Sequence, residues 1–77
     1  MNLTTVGVMT LQKAVEELSK QVGSAEALAV RLDSTYSAVH SWIKGDRVPR
    51  PQARRDMAKL AKAAKLDEAV LKALLTV

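Results

Sequence analysis

Basic side chains that can bind phosphate are concentrated in one part of the 77-residue chain. The segment 44–65 contains eight lysine and arginine residues and two acidic ones, a net charge of +6. The remaining residues contain four basic and six acidic side chains, a net charge of −2. Clustered cations release counterions when they neutralise phosphates, so the pattern favours a polyanion partner over an ordinary solvated surface. The basic residues are Lys44, Arg47, Arg50, Arg54, Arg55, Lys59, Lys62 and Lys65.

A row of small polar groups comes directly before this basic segment. Within 36–44, the apolar residues Val39, Trp42 and Ile43 recur at helical spacing and predict a buried side. The opposite side is polar but nearly uncharged, which suits hydrogen bonding to the edges of DNA bases. Its members are Tyr36, Ser37, His40, Ser41 and Lys44.

The elements that must position these groups are predicted to be five helices in one all-α domain spanning 1–77. The chain has no Phe, one Trp and one Tyr, so its core must consist of aliphatic side chains, which favours packed helices. Residues 1–9 show no helical period and are predicted to be an arm or a short extended piece. The first helix is expected at about 10–22 and the last at 68–76. The expected caps and stops are Thr10, Gly23, Ser24, Asp33, Ser34 or Thr35, Gly45, Pro51 and Asp67.

Two helices of this bundle carry apolar faces that matter below. The fourth is predicted to present its inner side through Ala53, Met57, Leu60, Ala61 and Ala64. The C-terminal helix, within 67–77, has two apolar stripes, although packing against the rest of the domain needs only one of them. The second stripe is either a wider core face or a dimer contact. The first stripe comprises Leu66, Val70, Leu74 and Val77, and the second comprises Leu71 and Leu75.

The stretch 24–45 has the spacing of a helix-turn-helix. Leu28, Val39 and Trp42 follow in the order that a helix, a tight turn and a helix would bury, and Ala29 supplies the small residue needed where the helices cross. The stretch ALAVRLDSTYSAVHSWIKGDRVPRP resembles the DNA-binding domains of lambda-type phage repressors and Cro proteins, including the short YdaS-like Cro regulators. The similarity covers about residues 10–66.

The resemblance implies a compact bundle of five helices and a dimer that represses transcription at a palindromic operator. Tyr36, Ser37 and Ser41 match positions that reach base edges in the major groove, and His40 lies beside them. From the residues alone, Tyr36 either contacts DNA or covers the turn. His40 either donates to a phosphate or a guanine, or is an ordinary surface residue.

The resemblance also implies contacts to the DNA backbone. Ser24 and Thr35 match phosphate contacts at helix starts. Lys44 and Arg47 match backbone contacts after the recognition helix, and Arg50 matches a residue that can enter the minor groove.

The basic residues that begin the fourth helix are expected to reach phosphate as well, whereas later cations on that helix are expected to be solvated. The two at its start are Arg54 and Arg55.

The chain departs from the family at two turn positions: Asp33 stands where glycine is usual, and Ser34 where an apolar residue is usual. Asp tolerates the left-handed conformation that such a turn needs, although less well than glycine does. Because Ser34 and Thr35 are both capping residues, the sequence leaves open which of them begins the third helix.

Several classes of function lack their residues here. With one His, no Cys, no glycine-rich phosphate loop and no catalytic pair of acids, we expect neither an enzyme nor a metal, cofactor or small-molecule site. No apolar run approaches the length that spans a bilayer. We therefore predict a DNA-binding regulator in the cytoplasm of a bacterial host, acting as a homodimer on double-stranded DNA. The alternative is a helical protein-interaction module, such as an antitoxin or antirepressor.

Overall fold

A computed structural model describes residues 10–75 as an all-α bundle, as predicted. Its five helices match the predicted elements to within a residue or two, and no strand occurs within these residues. The N-terminal segment 1–9, with its predicted arm, lies outside the described residues, as do Thr76 and Val77. The helices are α1 (Leu11–Val22), α2 (Ala25–Arg31), α3 (Tyr36–Lys44), α4 (Pro51–Ala63) and α5 (Glu68–Leu75).

Three helices begin with the hydroxyl caps that the sequence predicts. The side-chain oxygens of Thr10 and Ser24 each accept a hydrogen bond from the backbone N–H three residues later, at 3.1 Å. At the start of α3 the cap is Thr35, whose Oγ1 accepts from the N–H of Ala38 at 3.1 Å. Ser34 is therefore part of the preceding turn and not the N-cap.

Three helices end in the same hydrogen-bond pattern, with one residue at positive φ. At the end of α2, the N–H of Asp33 donates to Val30 O and that of Ser34 donates to Ala29 O. This is the Schellman arrangement, which needs a left-handed residue, and Asp33 provides it with φ 55°. The corresponding residues are Gly45 after α3, with φ 88°, and Lys65 after α4, with φ 60°.

The first helix, α1, lies at the centre of the bundle. Within residues 10–75 it is the only helix that packs against all four others. Its side chains Ala14, Val15 and Leu18 are completely buried. The rest of the core consists of Leu28, Ala29, Val39, Trp42, Met57, Ala58, Ala61, Val70 and Leu74.

The remaining helices form two pairs on either side of α1. The helix pair α2–α3 packs together, as does the pair α4–α5, but the two pairs do not pack against each other in the described part of the chain. The apolar side predicted for 36–44 is confirmed for Val39 and Trp42, which are buried, whereas Ile43 is half-buried. This arrangement leaves the opposite side of α3 exposed.

The prediction for the inner face of α4 includes one residue that is exposed and omits two that are buried. Ala64 is exposed, because it is the C-terminal cap of the helix and not part of its buried side. The buried side of α4 instead includes Ala58 and Arg54, which share a face with Met57 and Ala61. On α5, the first apolar stripe is in the core through Val70 and Leu74. The second is half-buried at Leu71 and exposed at Leu75.

The left-handed conformation at Gly45 yields a stability prediction. A residue with a Cβ atom would have an unfavourable φ at this position, and its Cβ would meet the side chain of Gln12. We expect Gly45→Ala to lower the free energy of unfolding by about 1–2 kcal/mol, measured by urea denaturation. Lys65→Ala is the matched control, because it exchanges one side chain for another at positive φ, and should stay within about 0.5 kcal/mol of the native chain. Equal midpoints for Gly45→Ala and the native chain would contradict this role.

Candidate nucleic-acid interface

The exposed side of α3 carries the predicted base-contacting groups. Tyr36, Ser37 and His40 are exposed, and Ser41 is half-buried. The rings of Tyr36 and His40 stack, with centroids 5.4 Å apart and planes 21° apart. One turn of helix separates the two residues, so this stacking fixes both rings on the same surface. Hydroxyl, phenol and imidazole groups therefore project together from one helical face.

The capping hydroxyls at the starts of α2 and α3 keep a donor for an outside partner. The oxygens of Ser24 and Thr35 accept backbone hydrogen bonds, but each O–H retains its hydrogen to donate. Both residues are exposed. Each also stands where the positive end of a helix dipole favours an anion. The chemistry suits phosphate contact at both positions.

The loop after α3 is tied to the end of that helix through one carbonyl group. The backbone oxygen of Ser41 accepts hydrogen bonds from the N–H groups of Gly45, Asp46 and Arg47, at 3.0, 2.9 and 3.4 Å. The loop cations Arg47 and Arg50 are exposed, while Pro49 between them is buried. The loop backbone is thus anchored at both ends of this stretch, and its charged side chains face solvent.

Lys44 is exposed but has an acidic neighbour. Its Nζ lies 3.8 Å from Oδ2 of Asp46. Both side chains are more than half exposed, so this ion pair contributes little to stability. Such a pair can be exchanged for a phosphate at small cost.

An open cleft of about 400 Å³ separates α3 from the start of α4. Its walls bring the two loop cations, Arg47 and Arg50, together with polar groups of the turn and of α4. The apolar floor includes Trp42, which is only 8% exposed and therefore belongs to the core, as predicted. The lining residues are Leu32, Ser34, Ala38, Trp42, Arg47, Val48, Arg50, Gln52 and Ala53.

Sequence reasoning missed Gln52, which links charged residues on the first turns of α4. Its Nε2 donates to Oδ1 of Asp56 at 3.0 Å, and its Oε1 accepts from a terminal guanidinium nitrogen of Arg55 at 3.2 Å. These interactions hold the exposed Arg55 side chain against the first turns of α4. The signal was present in the sequence, because residues three and four positions apart are neighbours on a helix surface.

Arg54 does not join the exposed cations, contrary to its predicted phosphate contact. Its side chain is buried, with 9% exposure. Its Nε donates to the backbone oxygen of Leu74 at 2.9 Å, and a terminal nitrogen donates to that of Ala73 at 3.4 Å. A guanidinium held this way complements the negative end of the α5 dipole. Arg54 therefore joins α4 to α5, and we remove it from the candidate interface.

Among residues 10–75, no group of three His, Asp or Glu side chains comes together as a metal site. None of the helices formed by residues 10–75 has the length and hydropathy to cross a bilayer.

No known family model, curated protein or solved structure matches the chain.

The buried Arg54 yields a second stability prediction. We expect Arg54→Met to lower the free energy of unfolding by about 1–3 kcal/mol, because the last carbonyls of α5 lose their donors. The neighbouring Arg55 is exposed, so Arg55→Met should change it by no more than about 0.5 kcal/mol. Chemical denaturation of both variants measures the difference. Equal unfolding midpoints would mean that the Arg54 hydrogen bonds contribute nothing to the fold.

Proposed function

We propose that the chain is a sequence-specific regulator of transcription that binds double-stranded DNA, with α3 in the major groove. The observation that carries the proposal is the exposed polar side of α3 followed directly by anchored, exposed cations. We propose that it acts in the cytoplasm of a bacterial host, where the DNA is found. The resemblance to Cro-like phage repressors, with α2 and α3 as the helix-turn-helix, is part of the same proposal.

In this proposal the side chains of α3 choose the DNA sequence. Ser37 and Ser41 donate to or accept from base edges, and Tyr36 contacts a thymine methyl group or a phosphate. His40, stacked on Tyr36, supplies a further donor to a guanine or a phosphate. A nearly uncharged face suits this role, because hydrogen bonds to base edges carry sequence information that phosphate contacts lack.

The surrounding groups hold the DNA backbone. The hydroxyls of Ser24 and Thr35 donate to phosphates at two helix starts. The exposed cations Lys44, Arg47 and Arg55 neutralise further phosphates, and Arg50 enters the minor groove. The start of α4 adds backbone N–H groups that no side chain caps. Together these groups supply affinity and register, independent of sequence.

A dimer is the form that we propose for operator binding. One domain of this size contacts a single half-site, and two copies related by a two-fold axis match a palindrome. We expect DNA flanking the chain's own gene to bind at least about 10³-fold more tightly than random duplex of equal length. A fluorescence-anisotropy titration measures this ratio, and footprinting should show two half-sites about 10 base pairs apart. Equal affinity for both DNAs would rule out specific regulation.

Substitutions should separate backbone contacts from base contacts. Arg50→Ala is expected to weaken binding to every sequence and to reduce the slope of log affinity against log salt by about 1. Ser37→Ala and Ser41→Ala should instead change which sequence is preferred, with a cost of about 1–3 kcal/mol on the preferred site. Lys72→Ala is the control, since α5 does not pack on α2 or α3. An equal loss on every sequence for the arginine and serine variants would exclude Ser37 and Ser41 as base contacts.

The second candidate function is a protein-interaction module, such as an antitoxin or antirepressor. The observation that favours it is the exposed apolar surface at Leu75, on the opposite pair of helices. A module of this kind would keep its partner when Arg47 or Arg50 is changed to glutamate. The DNA-binding regulator would lose its ligand in the same variants, so the two functions are distinguishable.

A further inference from the structure

An apolar groove of about 280 Å³ runs between α4 and α5. It exists because α5 has two apolar stripes and buries only the first, through Val70 and Leu74. The second stripe, Leu71 and Leu75, lies in the groove, and Leu75 remains 56% exposed. The full lining is Arg55, Ala58, Lys59, Lys62, Leu71 and Leu75.

One wall of this groove is strongly positive. Arg55, Lys59 and Lys62 follow one another along α4 at steps of four and three residues, so they share a helical face. All three are exposed, and no acidic residue belongs to the lining. Among the described residues, the ion pairs involve other lysines, and Arg55 donates only to the neutral amide of Gln52. The apolar floor therefore lies beside three cations that lack an acidic partner.

This combination selects among the occupants of such a surface. DNA phosphates would satisfy the cations but would leave Leu71 and Leu75 without an apolar partner. A second copy of the chain would bring its own three cations to the contact and no acid from the same lining, and like charges brought together cost free energy. A segment with apolar and acidic side chains on adjoining faces satisfies both the floor and the wall.

We propose that the α4–α5 groove binds an acidic amphipathic helix of a partner protein. Apolar side chains of that helix, one turn apart, pack on Leu71 and Leu75. Its flanking Asp or Glu side chains pair with Lys59, Lys62 and Arg55. The groove lies on the helix pair that does not pack against α2–α3, and of its lining residues only Arg55 is also assigned to DNA phosphate, so this proposal does not depend on DNA binding.

A labelled synthetic peptide tests the proposal with the full chain. The peptide has about 18 residues, enough to form a helix when bound, with two leucines four residues apart and glutamates on both flanks. Fluorescence anisotropy gives its affinity. We expect Leu75→Ser, and separately the double variant Lys59→Glu/Lys62→Glu, to weaken binding at least about tenfold. Val30→Ser is the control, because Val30 is 76% exposed but lies on α2.

A charge exchange separates recognition from loss of folding. A second peptide carries lysines in place of the glutamates, and it should bind the native chain weakly. The variant Lys59→Glu/Lys62→Glu should bind this second peptide better than the first. The proposal is overturned if the native chain binds neither peptide saturably or binds both equally. It is also overturned if sedimentation shows the native chain to self-associate through Leu75, or if Lys59→Glu/Lys62→Glu abolishes DNA binding as completely as Arg50→Glu does.

Discussion

The packing of α1 is the constraint on which the rest of the structure depends. Ala14, Val15 and Leu18 are fully buried, and their helix is the only one in the described chain that contacts the four others. The pairs α2–α3 and α4–α5 meet only through it and through the loop that joins them. The position of the α3 surface relative to the start of α4, and hence the width of the cleft between them, follows from how each pair packs on α1.

The sequence predicts the helix boundaries well where they depend on capping and stop residues that act on their near neighbours. Hydroxyl caps at Thr10 and Ser24, the left-handed glycine after α3 and Pro51 at the start of α4 act within a few residues, so the helix boundaries can be derived from them. The choice between Ser34 and Thr35 as the N-cap of α3 could not be derived from the sequence, because both side chains can cap a helix. The hydrogen bond from Ser34 N–H to Ala29 O decides it, since it makes Ser34 part of the turn.

The sequence predicts the cluster of basic residues, but charge alone does not show which of them are exposed and which are buried. Arg54 and Arg55 are adjacent and chemically identical, yet one is buried at the end of α5 and the other is exposed. Charge alone cannot distinguish them. Helical phase does, since Arg54 shares the buried face with Met57, Ala58 and Ala61, and its partners are carbonyl groups about twenty residues away. DNA binding by the exposed residues stays a prediction.

The left-handed residues at two helix ends reduce the stability of the native fold. Asp33 and Lys65 occupy a conformation that glycine adopts freely; a lysine there costs about 1–2 kcal/mol and an aspartate less. Small domains retain only about 5–15 kcal/mol in total. Each 1.4 kcal/mol corresponds to about tenfold in the population of unfolded molecules. Side chains at these two turns therefore enlarge the unfolded population on which cellular proteases act.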